Sequence, residues 1–349
     1  MEQHADLPAW HLSVDPYEVA DSTFSTVDPV KLSEGEARLA IESFALSANN
    51  ITYVRTACDF GYDQLFAGPA DRMIPPVWGY ATVVESCSAL EVGSRWYGLW
   101  PAGSHLTVQP KMTRSGFRDV MARRSGLNPL YNGYLPGGPD NPREQITQAS
   151  LRPLHFLAYV LSRDLKLDLN GKSRIVVTSA SSKTASALAW ELRNLNPIGL
   201  TSPSRVDFVC SAGDWAQVQP YTMTSDIGSG PVIVLDVAGS EDIVAAIRER
   251  PGAGETRVIG IGFTHPDAAG SMERDVFFAP DRVVDLISRV GAAAFERGLE
   301  ERAQAFLTRS SGVYDVNQVT PDGLVRFWAD LAKGEVDSSH LYGCVAKDS

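Results

Sequence analysis

The chain predicts an α/β protein made of a β-rich first part and a doubly wound parallel sheet, and three observations carry that reading. Its 349 residues are enough for two domains at roughly 100–200 residues each. Residues 36–111 read as short strands broken by glycine and proline, whereas from about residue 151 apolar strands alternate with helix-patterned segments. Hydrophobic residues make up 44% and charged residues 21%, with 29 glycines and 21 prolines in no period, which sets aside disordered and fibrous classes.

In the first part, EARLAIESFAL (36–46) alternates apolar and polar side chains, GYATVVESC (79–87) is short and β-rich, and SRWYGLW (94–100) is parted from SHLTVQP (104–110) by Pro101 and Gly103. This spacing predicts a small barrel or sandwich. Between 113 and 150 the periodicity dissolves. YNGYLPGGPDNP (131–142) carries three glycines and three prolines, so the stretch reads as a loop or crossover.

RIVVTS (174–179) then reads as a buried strand, and KTASALAWELRNL (183–195) as a helix with Ala187, Leu188, Leu192 and Leu195 on one face. PIGLTS (197–202), a helix at 204–212, PVIVLDVAG (231–239), a helix at 240–250 and TRVIGIGF (256–263) follow. Apolar strands between helices predict a parallel sheet covered on both faces. Val283, Leu286, Ile287 and Val290 mark another helix, 321–333 a further one, and HLYGCVA (340–346) a last strand.

With 31 Lys and Arg against 42 Asp and Glu, the formal charge is −11, which argues against a nucleic-acid partner. No run of about 18 apolar residues and no cationic leader followed by an apolar stretch is present, so the expectation is a soluble, cytoplasmic protein with no membrane partner. Cys58, Cys87, Cys210 and Cys344 are isolated, without C-x-x-C or a nearby histidine at ligand spacing, and predict neither a disulfide framework nor a metal site.

A dinucleotide fold places a tight turn between its first strand and helix, where bare backbone and the helix N-terminus meet the pyrophosphate. Here that turn reads Ala180-Ser181-Ser182-Lys183-Thr184-Ala185, so G-x-G-x-x-G becomes A-x-S-x-x-A. Hydroxyls on Ser179, Ser181, Ser182 and Thr184 can donate to phosphate oxygens, and Lys183 adds a charge. The alternative is a serine-rich helix cap with a solvated lysine. A P-loop fails, because Val177 and Ser182 stand where its glycines belong. About twenty residues on, Thr201-Ser202-Pro203-Ser204-Arg205 has no acid for a ribose, and Ser202 with Arg205 suits a 2′-phosphate, which points to NADPH. A Ser-Pro turn capping the next helix explains the same residues.

The order of parts, with GEARLAIESFALSANNITY and VGSRWYGLWPAGSHLTV ahead of the α/β part, resembles the medium-chain dehydrogenase/reductase superfamily, most of all its zinc-free, quinone-oxidoreductase-like branch. SASSKTA, GLTS and DVAG are similar to a subgroup known only as a domain of unknown function. The resemblance implies a GroES-like catalytic domain over 1–150, with 276–349 partly returning to it, and a Rossmann-like domain over 151–275. It further implies an oxidoreductase of a small-molecule substrate, and a homodimer. Ala238 and Gly239, then Gly262 and Phe263, would border the cofactor's ribose and nicotinamide, and Asn49 or Asn50 matches the active-site asparagine. Where zinc members carry Gly-His-Glu, this chain has Trp78-Gly79-Tyr80-Ala81.

Hydride transfer to an activated double bond needs a donor that polarises the carbonyl. Tyr53 is the candidate, beside Asn49 and Asn50. The alternative is an ordinary half-buried tyrosine next to turn-capping asparagines. His265, just after the GIGF strand, falls at the carboxyl edge of the sheet, where ligands bind. Arg152 and His155 can meet an anion or form a solvated helix start. No G-x-S-x-G elbow supports a hydrolase. The reading is therefore a zinc-independent NADPH-dependent oxidoreductase acting on a quinone, enone or other small carbonyl compound. Its alternative is a degenerate relative that binds another ligand or a protein partner without turnover.

Overall fold

Strands form early in the chain because apolar side chains recur at every second position. The computed structural model describes residues 9–28, 30–66, 68–124, 126, 128–168, 173–261, 275–277, 279–337 and 339–346. A hairpin of β1 (Ala9–Val14) and β2 (Ser22–Val27) comes first. In β3 (Ala37–Leu46), buried and half-buried residues alternate over the first six positions, and the last four are all buried. Two short helices follow, α1 (Ala48–Arg55) and α2 (Ala57–Phe60), then β4 (Pro76–Ser86), β5 (Arg95–Pro101), β6 (His105–Val108) and β7 (Pro110–Met112). The core of this part holds Leu39, Ile41, Phe44, Val77, Leu99 and Trp100.

Much of the stretch read as a loop is regular secondary structure. It contributes β8 (Phe117–Asp119) and β9 (Gly133–Pro136), and from Pro142 it is already helix α3 (Pro142–Asp168). Long-range packing does what periodicity does not. Tyr134 stacks on Phe117 at 4.6 Å and lies 4.6 Å from Trp100, while buried Asp119 pairs with buried Arg124 and accepts the backbone N–H groups of Gln109 and Met121.

The parallel sheet is built from β10 (Arg174–Val177), α4 (Lys183–Leu192), β11 (Ile198–Thr201), α5 (Val206–Ala212), β12 (Gln217–Pro220), β13 (Gly230–Asp236), α6 (Glu241–Arg248), β14 (Ala253–Ile261) and β15 (Asp275–Phe277). Its order is β12-β11-β10-β13-β14-β15, all parallel. The chain runs outward from β10 on one side and from β13 on the other. Crossovers between parallel strands are right-handed by rule, which with this order predicts helices on both faces, and the switch point falls between β10 and β13. On one face Val176, Leu200, Val234 and Val258 pack with Val244 and Ile247 of α6. Helices α7 (Ala279–Val290) and α8 (Ala292–Arg309) follow.

The chain closes with β16 (Asp315–Val319), α9 (Leu324–Lys333) and β17 (His340–Val345). β17 pairs antiparallel with β3, Tyr342 opposite Leu46. Among the described residues the first sheet runs β16-β17-β3-β4-β5-β9-β8-β7, with β6 on β3. The two units are thus Met1–Ser150 with Val316–Ser349, and Leu151–Asp315. The second extends past 275 because α8 is tied into it, Phe295 against Tyr159 and Arg302 on Glu191. Among the described residues no helix is long and apolar enough to cross a membrane.

Candidate functional site

In the second unit the candidate turn joins β10 to α4. Ser182 is the N-cap, with φ −77° and ψ 152°, and its Oγ accepts the Ala185 N–H at 3.2 Å. That backbone is ordinary extended geometry, so the middle glycine of the dinucleotide pattern is not needed for conformation here. The left-handed position is Ser179, at φ 52°. Ala180, in place of the first glycine, is buried, and its N–H donates to the Leu200 carbonyl. The missing glycine has a counterpart in Gly199 of β11, where an added Cβ would lie 2.9 Å from the Ala180 Cβ and 3.0 Å from the Trp215 ring.

Ser181, Ser182, Lys183 and Thr184 are half-buried at this helix start. The Lys183 ammonium is 5.9 Å from the centre of the Tyr314 ring, a cation–π arrangement and not a fully solvated lysine. Ser202 and Arg205 lie past the end of β11, where Ser202 caps a 3-10 turn and its carbonyl accepts the Arg205 N–H at 3.0 Å. Ala238 and Gly239 follow β13, Gly239 at φ 69°. Gly262, Phe263 and His265 lie outside the described residues.

The switch point is rich in internal hydrogen bonds. Thr178 Oγ1 donates to Asp236 Oδ1 at 2.8 Å and accepts the Val237 and Ala238 N–H groups at 2.9 Å each. Asp236 Oδ1 also accepts the Gly239 N–H at 3.1 Å, and the Tyr221 phenol accepts the Ser179 N–H at 3.1 Å. Burial pushes the Tyr221 phenol up, against the hydrogen bonding from Ser179. Sequence reasoning missed Tyr221 because β12 is a four-residue strand, QVQP, with no apolar run to reveal it.

His155 is neither at a helix start nor solvated. It is fully buried within α3, its Nε2 donating to Glu191 Oε1 at 2.9 Å, and its ring stacks on Phe306 at 5.4 Å. Arg302 Nε donates to both Glu191 oxygens at 2.8 and 2.9 Å, and Ser162 Oγ donates at 3.3 Å. Burial alone raises the Glu191 carboxyl, but its hydrogen bonds and the Arg302 charge outweigh it and hold it at about 2. Arg152 pairs with Glu300 on the surface.

In the first unit, α1 presents Asn49, Asn50 and Tyr53. Asn50 is 3% exposed and held at both ends: Oδ1 accepts the Ser47 N–H at 2.7 Å, and Nδ2 donates to the Pro76 carbonyl at 2.9 Å. It completes a capping box with Ser47. Tyr53 accepts the Trp78 Nε1–H at 3.2 Å and is hydrogen-bonded by the Asn49 side chain. Burial raises the Tyr53 phenol, opposed by these two partners. Tyr62 lies edge-on to Tyr53 at 4.9 Å, shares a 2.9 Å hydroxyl contact with Tyr131, and is pushed up to about 12 by burial. Trp78, Tyr62 and Tyr131 were not singled out from the sequence, because residues apart in the chain give no spacing signal.

The fold is that of the medium-chain dehydrogenase/reductases, with one GroES-like β-rich unit and one Rossmann-like doubly wound unit. CurA from Vibrio vulnificus, solved in complex with NADPH, matches with TM-score 0.63 and 13% identity, covering 98% of this chain and 100% of that one. CurK enoyl reductase matches with TM-score 0.62 and 14% identity over 97% and 99%. The yhdH oxidoreductase from Salmonella enterica, solved in complex with NADP, matches with TM-score 0.53 and 12% identity over 97% and 100%. Residues 44–337 match the family described as Protein of unknown function (DUF2855), and the chain belongs to that family. No curated protein matches it significantly.

Proposed function

We propose that the chain is a zinc-independent oxidoreductase that uses NADPH to reduce a quinone, an enone or another small carbonyl compound. The observation that carries this reading is the backbone course of 179–185. Within this glycine-free turn Ser182 is extended, the left-handed conformation falls on Ser179, and Gly199 makes room for Ala180. The donor set fits a dinucleotide: Ser179, Ser181, Ser182, Lys183 and Thr184 for the pyrophosphate, Ser202 and Arg205 for a 2′-phosphate, and Ala238 with Gly239 beside the ribose. Gly262, Phe263 and His265 belong to the same assignment by sequence.

NADPH, when bound, supplies the hydride. Tyr53 then hydrogen-bonds the acceptor's carbonyl oxygen and delivers a proton to it, with Asn49 orienting the same oxygen. Asn50 leaves the catalytic set, since both ends of its carboxamide hold backbone. Zinc independence is supported by the chemistry of Trp78, Gly79, Tyr80 and Ala81, which offers no histidine or carboxylate ligand. The fold neighbours solved with NADPH and NADP favour the same cofactor. A cytoplasmic homodimer completes the proposal.

The deciding experiment is titration of the purified chain with NADPH and NADH. Micromolar NADPH is expected to raise the melting temperature, and NADH to do so only at higher concentration; no shift with either overturns the reading. Arg205→Ala is expected to erase the preference for NADPH. One set of contacts favours the second reading, a relative without turnover. The N–H groups of Ser179, Val237, Ala238 and Gly239 are already taken by Tyr221, Thr178 and Asp236. That reading expects no NADPH oxidation across an acceptor panel.

A further inference from the structure

We propose that Trp78 is a positioning residue for Tyr53: by donating its indole N–H to the phenol oxygen, it fixes the direction in which Tyr53 presents its own proton. This rests on the oxidoreductase reading above and names a residue to which that reading gives no role.

The direction of the hydrogen bond follows from chemistry alone. An indole N–H can only donate, so in the 3.2 Å contact the phenol oxygen must accept, and the phenol proton points elsewhere. Both partners are held. Trp78, on β4 opposite Leu99 of β5, stacks on Tyr97 at 5.6 Å and 20°. Tyr53 is 8% exposed and wedged edge-on against Tyr62 at 79°. The Tyr62 and Tyr131 hydroxyls bond to each other at 2.9 Å. Asn49 completes the surroundings of the Tyr53 oxygen. The stretch where the resemblance places a metal-binding histidine and glutamate thus carries an indole aimed at a phenol.

In the step so oriented, bound NADPH would supply a hydride to the acceptor's carbon, whose π electrons would move to the carbonyl oxygen. That oxygen takes the Tyr53 proton, the phenol O–H breaks, and the phenolate regains a proton from water. Loss of the indole donor leaves the phenol oxygen with one fewer side-chain partner to set its proton's direction and removes a hydrogen bond that opposes the effect of burial on its ionisation.

The test compares full-length wild type, Trp78→Phe, Tyr53→Phe, the double variant and Trp78→His, which keeps an N–H donor. With 13C-labelled tyrosine, the Tyr53 Cζ resonance, assigned by its absence in Tyr53→Phe, is expected to move in Trp78→Phe while that of Tyr62 stays. Reciprocally, the Trp78 indole N–H resonance should move in Tyr53→Phe, a measurement that does not depend on Trp78→Phe folding. In turnover, Tyr53→Phe is expected to lower kcat about a hundredfold. Trp78→Phe should lower it roughly tenfold with KM for NADPH unchanged, the double variant no further than Tyr53→Phe alone, and Trp78→His should recover part of the loss. Unmoved resonances overturn the proposal, as do additive losses in kcat. Absence of any NADPH oxidation by the wild type overturns the oxidoreductase reading instead, and the resonances still decide whether Trp78 sets the phenol.

Discussion

Ser179 concentrates the question of cofactor binding in one side chain. Its left-handed backbone costs roughly 1 kcal/mol for a residue with a Cβ, and glycine there would relieve that cost while loosening the unfolded chain by a similar amount. Ser179→Gly is therefore expected to leave the melting temperature within a few degrees of wild type. If the Ser179 hydroxyl meets phosphate, the same variant loses about five- to tenfold in NADPH affinity, the worth of one hydrogen bond; isothermal titration beside a thermal melt separates the two effects. Asn50 illustrates the opposite case. A carboxamide of the right type at the right place in the sequence is held on both sides by backbone and serves the helix it begins.

At the scale of elements, the β10–turn–α4 unit depends on its neighbours at both ends. At the turn, Gly199→Ala would drive a Cβ into Ala180 and Trp215. The expected cost is about 1–3 kcal/mol with loss of NADPH binding. Ala180→Gly in the same chain should restore part of both, since it removes one of the two neighbours that the new Cβ meets. Near the C-terminal end of α4, Glu191 ties the helix to α3 and α8 through His155 and Arg302. Its carboxyl is held at about 2, below its unfolded value near 4.3. Because the folded value is depressed, this stabilisation is fully present above about pH 5 and is lost as pH falls toward 2. Acid unfolding of Glu191→Gln is thus expected to be less steep between pH 5 and 2 than that of wild type. At neutral pH the variant should be less stable by about 1–3 kcal/mol, because part-exposed Arg302 and His155 lose a charged acceptor.

For the whole molecule, a charge of −11 means that an anionic dinucleotide approaches against the protein's overall field and depends on local donors such as Lys183 and Arg205. Raising salt screens the long-range repulsion more than the close contacts. The association rate for NADPH, followed by stopped-flow fluorescence, is expected to rise with ionic strength, the reverse of a chain that steers its ligand electrostatically.

Local pattern alone marks most of this fold. The alternation in 36–46, the apolar runs at 174–179 and 231–239, and the amphipathic stretch at 183–195 reveal their elements because each buries a face that its own period defines. β8, β9 and the N-terminal half of α3 do not, since Phe117, Tyr134 and Gln145 are satisfied by partners distant in the chain. The four-residue β12 is too short and polar to announce itself, and Tyr221 was hidden with it. Of the candidate residues, Tyr53, the 179–185 turn and Ser202 with Arg205 were legible as residue types at a spacing. Which of their atoms are already bonded was not.

By itself, then, the sequence determined the two-part α/β architecture, the loss of the turn glycines, the −11 charge and the presence of Tyr53 beside asparagines, because these depend on composition and on neighbours within a few residues. Only the tertiary structure decided that Asn50 holds the Pro76 carbonyl, that His155 is a buried partner of Glu191, that Gly199 compensates Ala180, and that Trp78 donates to Tyr53. Each of these is a contact between elements, and burial obliges polar atoms to find partners wherever the fold brings them, irrespective of spacing along the chain.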